Sequence, residues 1–460
     1  MYNSSKHHLH FIGIGGVGMA GIAEVLLNLG YSVSGSDLKS SKLVEHLTSL
    51  GAKVSFGHRA ENVPANTTVV VVSSAINPNN PELLISQERK LQVIPRAMML
   101  SELMRMKYGI AVGGAHGKTT TTTMIAHTLK ERLDPVVIIG GRVLTEKSGA
   151  RVGLGEFLVA EADESDGSFC LLKPAIAVAT NIDAEHLSHY GSMSKLEESF
   201  QQFLSSIPFY GLAVICGDDP VLSKLSKTLG RRVLSYGLSP ENDLYASDLV
   251  TNRGKTTFKV FSSGKLLATV TLPMPGIHMV CNSLAAFGVG MELGLEGEEI
   301  ANSLESFPGV ARRSEVLFDQ DGILLVDDYG HHPTEISATL SSLRRSYVEE
   351  GGRLVVLFQP HRYSRTRELF VEFITAFEAA DEVIISDIYS AGEEEISGIS
   401  GEKLASALQH KNARFIPNLA DAVEGLVRNA KAGDVYVTLG AGSVSAVAHE
   451  MQALFISHFE

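Results

Sequence analysis

The sequence predicts an α/β protein of three domains, each built on a largely parallel sheet. Three observations predict it. The chain has 460 residues, and at roughly 100–200 residues per domain that is too long for one core. Short β-branched apolar runs alternate with segments of helical period from end to end. Two glycine-rich turns, "GIGGVG" from Gly13 and "GGAHGK" from Gly113, each stand between such a run and a helical segment.

Composition narrows the function classes. Hydrophobic residues make up 44% and charged residues 20%, ordinary for a soluble globular protein. The net charge of -13 argues against a nucleic-acid partner. Cys170, Cys216 and Cys281 form no CxxC pair, so neither a disulfide framework nor a structural zinc site is expected, and a reducing cytoplasm fits. Residues 11–30 are mostly apolar but contain Glu24, Asn28 and six glycines. Strand, turn and helix describe them better than a signal or membrane segment. No other apolar run is long enough to span a bilayer, so no membrane partner is expected.

The elements follow in order. "LHFIGI", "SVSGSD" and "TVVVVSSA" read as the first strands. "YGIAVGG", "EFLVAEAD" and "AIAVATNID" come next, and "ILLVDDY", "RLVVLFQP", "EVIISDI" and "DVYVTLGAG" close the chain. Near-continuous apolar strands separated by helices imply parallel sheets covered on both faces. Residues 240–275 alternate instead, with a turn at "FSSGKL", which predicts a small antiparallel addition. The Pro-Gly turn in "FPGVARR" suggests a break. The domains are therefore expected at 1–108, 109–310 and 311–460.

The first glycine turn has Gly13, Gly15, Gly16, Val17 and Gly18 after a strand and before a helix, and Asp37 follows 19 residues after Gly18. That is a dinucleotide fingerprint in its required context, a Rossmann-like unit: glycines let backbone approach a pyrophosphate at a helix start. The pattern indicates a diphosphate. It leaves open a nicotinamide dinucleotide, another nucleotide diphosphate, or tight packing alone.

The second turn reads Gly114-Ala115-His116-Gly117-Lys118-Thr119. It is shorter than the usual phosphate loop, yet its mechanics survive. Backbone N–H groups cradle phosphates, Lys118 reaches the β/γ oxygens and the Thr119 hydroxyl meets Mg²⁺. A glycine turn that merely caps a helix is the competing reading. "VAEADESDG" offers Glu161, Asp163, Glu164 and Asp166 at a strand end. Glu161, the first polar residue leaving the strand, is the expected Mg²⁺ ligand; the other three are expected to belong to a solvated acidic loop. Asn181 and His186 also follow a strand end, where ligand sites of such sheets collect. In the last third, Arg312, Arg313, Arg362, Arg365 and Arg367 with His331, His332 and His361 form a cationic set. It suits a carboxylate or phosphate.

Taken in sequence, "FIGIGGVGMAGIAE", "SGSD", "VSSAI", "NPEL", "IPRAMMLSELMR", "HGKTTTT", "EADESDGSF", "TNIDAEHL", "PGIHMVCNSLAA", "DDYGHHPTEI" and "QPHRYSRTR" resemble the Mur ligases, the ATP-dependent enzymes that build the peptide of bacterial cell-wall precursors. The resemblance covers essentially the whole chain. It implies a UDP-sugar-binding Rossmann-like domain, a central P-loop ATPase-type domain and a C-terminal Rossmann-like domain that recruits the amino acid and closes over the others. Two phosphate loops are then needed because two nucleotides bind. The implied substrates are UDP-N-acetylmuramate, L-alanine and ATP, with Mg²⁺ as cofactor and an acyl phosphate as intermediate.

The resemblance also implies residue roles. Gly15, Gly16, Val17, Gly18, Ser36, Asp37, Ser73, Ser74 and Ala75 would hold the UDP-sugar. Gly114, Ala115, His116, Gly117, Lys118, Thr119, Thr120, Asn282, Arg313 and Asp328 would hold ATP, with Asn282 at the adenine and Asp328 near the ribose. Thr119, Glu161 and His186 would carry metal, and Lys118, His186 and Arg313 would serve catalysis. Tyr329, His361, Arg362 and Arg365 would take the amino acid. No general base is singled out. The family usually has Thr at Ala115, often Asp at Ser188 and Asn at Met279. Later-acting members place a modified lysine where Phe200 stands, and Lys195 is five residues early. The alternatives are a recycling ligase that attaches a tripeptide, an NAD-dependent oxidoreductase, and a non-catalytic nucleotide-binding subunit. A monomer or homodimer is expected.

Overall fold

A computed structural model describes residues 7–73, 75–139 and 150–459. It contains three sheets. The first joins β1 (His8–Ile12), β2 (Ser32–Asp37), β3 (Lys53–Phe56), β4 (Val69–Val72) and β5 (Gln92–Pro95). Their order is β3-β2-β1-β4-β5, and every pairing is parallel. The order reverses beside β1, so the Gly13 turn leaves the sheet at its switch point, where α/β folds bind ligands.

The second sheet holds β6 (Tyr108–Gly113), β7 (Val136–Ile138), β8 (Ala150–Arg151), β9 (Phe157–Glu161), β10 (Ile176–Ala179), β11 (Leu212–Cys216) and β12 (Val233–Gly237). β13 (Leu244–Asn252), β14 (Lys255–Ser262) and β15 (Lys265–Leu272) extend it. The order is β15-β14-β13-β12-β11-β10-β6-β9-β7-β8. The expected addition is thus real. Arg253-Gly254 and Ser263-Gly264 connect its strands, all four with positive φ, as tight two-residue hairpins require.

The third sheet holds β16 (Glu315–Gln320), β17 (Ile323–Asp328), β18 (Leu354–Phe358), β19 (Glu382–Ile385), β20 (Ala413–Phe415) and β21 (Val435–Leu439). Its order is β16-β17-β21-β18-β19-β20; only β16 runs antiparallel, against β17. Side chains alternate across it. Leu324, Val326, Val356, Phe358 and Val437 enter one core, while Ile323, Leu325, Val355, Leu357 and Tyr436 enter the other. Burial on both faces is why these strands read as unbroken apolar runs.

By compactness the chain forms two units. One comprises Met1–Ser247, Lys259–Val270 and Cys281–Pro308, and holds the first sheet and most of the second. The other comprises Asp248–Phe258, Thr271–Val280 and Gly309–Glu460, and holds the third sheet. Some strands escape the sequence reading. β3 and β5 are four-residue edge strands of mixed burial. β11, "LAVIC", is buried throughout, and so short an apolar run looks the same as a buried helical segment.

Candidate active site

At the first turn the backbone folds back on β2. Gly13 has φ +82°, and the N–H groups of Gly13 and Ile14 both donate to the Ser36 carbonyl, at 2.9 and 3.0 Å. Gly15 N–H donates to Asp37 Oδ2 at 2.8 Å. Gly16 and Val17 are exposed where the helix Val17–Asn28 begins, and no side chain caps that end. First-turn N–H groups there face outward, a natural seat for phosphate. Ser73 lies beside Gly13, its Cβ 3.5 Å from where a Gly13 Cβ would stand, and Ala75 is exposed next to it. Ser74 lies outside the described residues.

Ser36 is placed differently from the expectation. It is buried, and its hydroxyl donates to Glu82 Oε2 at 2.6 Å, so its part is to support the loop from beneath. Glu82, fully buried, also meets His10 at 3.0 Å and Asn62 at 2.8 Å. Burial works against its charge, but these hydrogen bonds hold the carboxyl down at about 2. The "NPEL" stretch contained Glu82, yet nothing local marked it as the loop's support.

At the second turn, β6 ends at Gly113 and the helix Lys118–Leu133 begins. Gly114 has φ +141° and Gly117 φ +80°. A Cβ on Gly114 would collide with Thr180 Oγ1, and one on Gly117 would come to 2.7 Å from Asn282 Oδ1. Asn181 clamps the loop: its Oδ1 accepts from His116 N–H at 2.8 Å, and its Nδ2 donates to the His116 carbonyl at 3.0 Å. Its own carbonyl accepts from Ala115 N–H at 3.1 Å. Asn282 therefore sits against the loop. Thr120 is buried at 4% exposure, whereas Thr119 is partly open.

Lys118 Nζ donates to the Gly114 carbonyl at 2.6 Å and to Glu164 Oε1 at 2.8 Å. Burial disfavours its charge, but the facing Glu164 carboxylate raises its pKa above the usual lysine value. Glu164 is the residue sequence reasoning misplaced. It is only 2% exposed, not solvated, because the loop turns inward and Tyr190 donates its hydroxyl to the Glu164 carbonyl. Burial pushes its carboxyl up to about 7, against the pull of Lys118. Asp166 is exposed, as expected. Glu161 ends β9, level with Val112 of β6. His186 has φ +57°, and its Nε2 lies 3.9 Å from Glu164 and 3.7 Å from Glu185. Ligand atoms of Glu164, Glu185 and His186 all lie within 4.8 Å of one another. Two carboxylates and an imidazole make an oxygen-rich donor set suited to a hard divalent cation.

In the second unit, the C-terminal ends of β17, β21, β18 and β19 carry the polar residues. Arg312 and Arg313 each place their guanidinium 4.9 Å from the Tyr329 ring centre. Asp328, 4% exposed, accepts from Ser314 N–H and Gly330 N–H, both at 2.7 Å. Burial raises its carboxyl to about 6, against the pull of Arg313. It thus pins Ser314, next to the two arginines, at the place where a contact to the ribose was expected. Rings continue from Tyr329 to His331 at 5.2 Å, and from His331 to His361 at 6.1 Å. Arg365 Nη1 lies 3.2 Å from His361 Nδ1. Burial, then Arg365 and Arg362, lower the His361 pKa to about 4. The ring is neutral near pH 7, and since a guanidinium can only donate, Nδ1 is the acceptor and Nε2 carries the proton. Arg362 is exposed at the start of the helix Tyr363–Glu368.

Two phosphate-type loops on separate parallel sheets, a lysine and clustered carboxylates at the second, and an arginine–histidine edge on a third sheet define an ATP-dependent ligase of several substrates. The chain belongs to the Mur ligase family. Residues 8–108 match the model of the Mur ligase family catalytic domain. Residues 112–290 match the Mur ligase middle domain, and 312–442 the Mur ligase glutamate ligase domain. The chain is 51% identical to a UDP-N-acetylmuramate–L-alanine ligase of Geobacter sp. (strain M21), over 96% of each chain. It is 48% identical to a protein of the same name from Sorangium cellulosum (strain So ce56), over 98% of this chain and 97% of that one. A solved UDP-N-acetylmuramate-alanine ligase from Thermotoga maritima superposes with a TM-score of 0.79 at 27% identity, covering 98% of this chain and 99% of that one.

Proposed function

We infer that the protein joins L-alanine to the carboxylate of UDP-N-acetylmuramate at the expense of ATP, in the synthesis of peptidoglycan precursors. The observation that carries this reading is the near 50% identity, over almost the full length of both chains, to ligases of that name. The site supplies what the chemistry needs. A muramyl carboxylate oxygen attacks the γ-phosphorus of ATP, the bond to the β-phosphate oxygen breaks, and ADP leaves. The amine of L-alanine then attacks the acyl-phosphate carbon, loses a proton, and phosphate departs.

In this reading Gly15, Gly16, Val17 and Gly18 offer backbone N–H groups to the UDP diphosphate, with Asp37, Ser73, Ser74 and Ala75 around it. The N–H groups of Gly114 to Thr119 cradle the ATP phosphates, and Lys118 swings from Glu164 toward them. Asn282 and Arg313 add contacts to ATP. Mg²⁺, held by Thr119, Glu161 and His186 together with Glu164 and Glu185, would neutralise charge between the triphosphate and the incoming carboxylate. His361 Nε2–H, Arg362 and Arg365 bind the amino acid's carboxylate, beside Tyr329. ATP and a UDP-linked substrate favour a cytoplasmic location. Among the described residues no helix is long and apolar enough to cross a membrane. Phe200 stands in the core at 1% exposure, packed on Phe169, where a modified lysine would serve a later-acting ligase.

The test is phosphate release with ATP, Mg²⁺ and UDP-N-acetylmuramate across amino acids and the L-alanyl tripeptide. L-Alanine should be the best acceptor. Faster ligation of the tripeptide would replace this reading with the recycling ligase.

A further inference from the structure

The cationic end of the amino-acid site is described by His361, Arg362 and Arg365. What meets the side chain of the amino acid is set by a different strand. Tyr389 follows β19, the neighbour of β18 in the sheet, and the residue is 41% exposed. It stacks on the His361 ring with centres 5.6 Å apart and planes 12° from parallel. Backbone bonds fix the stack: Arg362 N–H donates to the Tyr389 carbonyl, and Tyr389 N–H donates to the Pro360 carbonyl, both at 2.8 Å. The following loop is tied to the arginine helix as well, because Glu393 accepts from Ser364 N–H at 3.0 Å and Ser364 Oγ at 2.6 Å. Behind the ring is Gly442, in the turn after β21, where a Cβ would come to 2.7 Å from Tyr389 Cγ. The ring can lie where it does because that position has no side chain.

An α-amino acid held by its carboxylate at His361 and Arg365 carries its Cβ only two bonds from the carboxyl carbon, about 2.5 Å away. The Tyr389 ring, stacked on His361, offers apolar surface beside that carboxylate seat. We propose that Tyr389, backed by Gly442, walls the side-chain end of this site and limits it to a methyl-sized group. The proposal rests on the reading of His361, Arg362 and Arg365 as the carboxylate site. Tyr389 is a specificity-determining residue here: it contacts the part of the substrate that does not react. The ring face, not the hydroxyl, performs the selection, so phenylalanine should replace it and alanine should not.

Ligation is measured as phosphate release with ATP and UDP-N-acetylmuramate saturating, using glycine, L-alanine, L-2-aminobutyrate and L-valine. Tyr389→Ala should raise kcat/KM for L-valine relative to L-alanine by roughly tenfold or more, the scale on which pocket contacts discriminate methylene groups, with the KM for ATP unchanged. Tyr389→Phe should keep the parent ratios. Arg365→Ala should raise the KM of every amino acid, because it touches the carboxylate they share. If Tyr389→Ala slows all four amino acids in equal proportion while Arg365→Ala behaves as stated, Tyr389 only props His361 and the inference is overturned alone. If Arg365→Ala leaves the KM for L-alanine unchanged, the carboxylate site lies elsewhere and the inference goes with it.

Discussion

Lys118 and Glu164 face each other at 2.8 Å at the phosphate loop, and the pair makes two predictions at the scale of single residues. Lys118→Ala removes a preorganised cation from the transferring phosphoryl group and should lower kcat by ~10²–10³. The KM for UDP-N-acetylmuramate should stay near the parent value, since the Gly15–Gly18 loop is built on another sheet. Equal loss of affinity for both nucleotides in binding titrations would contradict the assignment of two loops to two ligands. Glu164→Gln keeps the shape and removes the charge that faces Lys118 and His186. It should raise the Mg²⁺ concentration needed for half-maximal rate, whereas Asp166→Asn, on the exposed side of the same loop, should not. A magnesium titration that separates the two variants in the reverse sense would remove Glu164 from the metal site.

At the scale of the element, the junction of β6 with the helix Lys118–Leu133 depends on glycine for two reasons at Gly117. Its φ of +80° is a conformation that other residues adopt at a cost, and Asn282 leaves no room for a Cβ. Gly117→Ala should destabilise the protein by about 1–3 kcal/mol and raise the KM for ATP, both readable from chemical denaturation and steady-state kinetics. An unchanged unfolding midpoint would show that the loop relaxes freely. The helix Val17–Asn28 opens its site by a different device. Its N-terminal N–H groups are left without a side-chain cap, and the loop before them is held from below by Ser36 and Glu82. The two phosphate seats thus share a strand–glycine–helix plan but differ in what braces them: a buried carboxylate network in one, the Asn181 clamp in the other.

For the whole molecule, the second unit carries an acid sensitivity of definite sign. Burial lowers His278 to about 4, His331 to about 3 and His361 to about 4. A histidine depressed in the folded state contributes stability above its unfolded value, near 6.5, and that contribution is lost as pH falls through the window down to the folded value. Asp328, raised to about 6, acts in the opposite direction and stabilises as pH falls from 6 toward 3.8. Three groups outweigh one, so the second unit should lose stability as pH falls from about 6.5 to about 4. Calorimetric melting temperatures measured across that range should decline, and a flat profile would show that these histidines take up their protons without unfolding.

What the sequence determined by itself was the local part: the run of strands and helices, the two glycine turns at strand ends, Lys118 and Thr119 after Gly117, and the arginine–histidine segments after the strands of the third sheet. These are legible because apolar periodicity and glycine's access to positive φ act over a few residues. Only the tertiary structure decided which of four carboxylates in "EADESDG" turns inward to Lys118, that Ser36 is buried against Glu82 and Asp328 against Ser314 and Gly330, that Glu82 braces a loop far from it in sequence, and that Tyr389 stands beside His361. The physical reason is the same for each. A polar side chain's burial, charge and partners are set by residues brought near from distant strands, and no local pattern carries that neighbourhood.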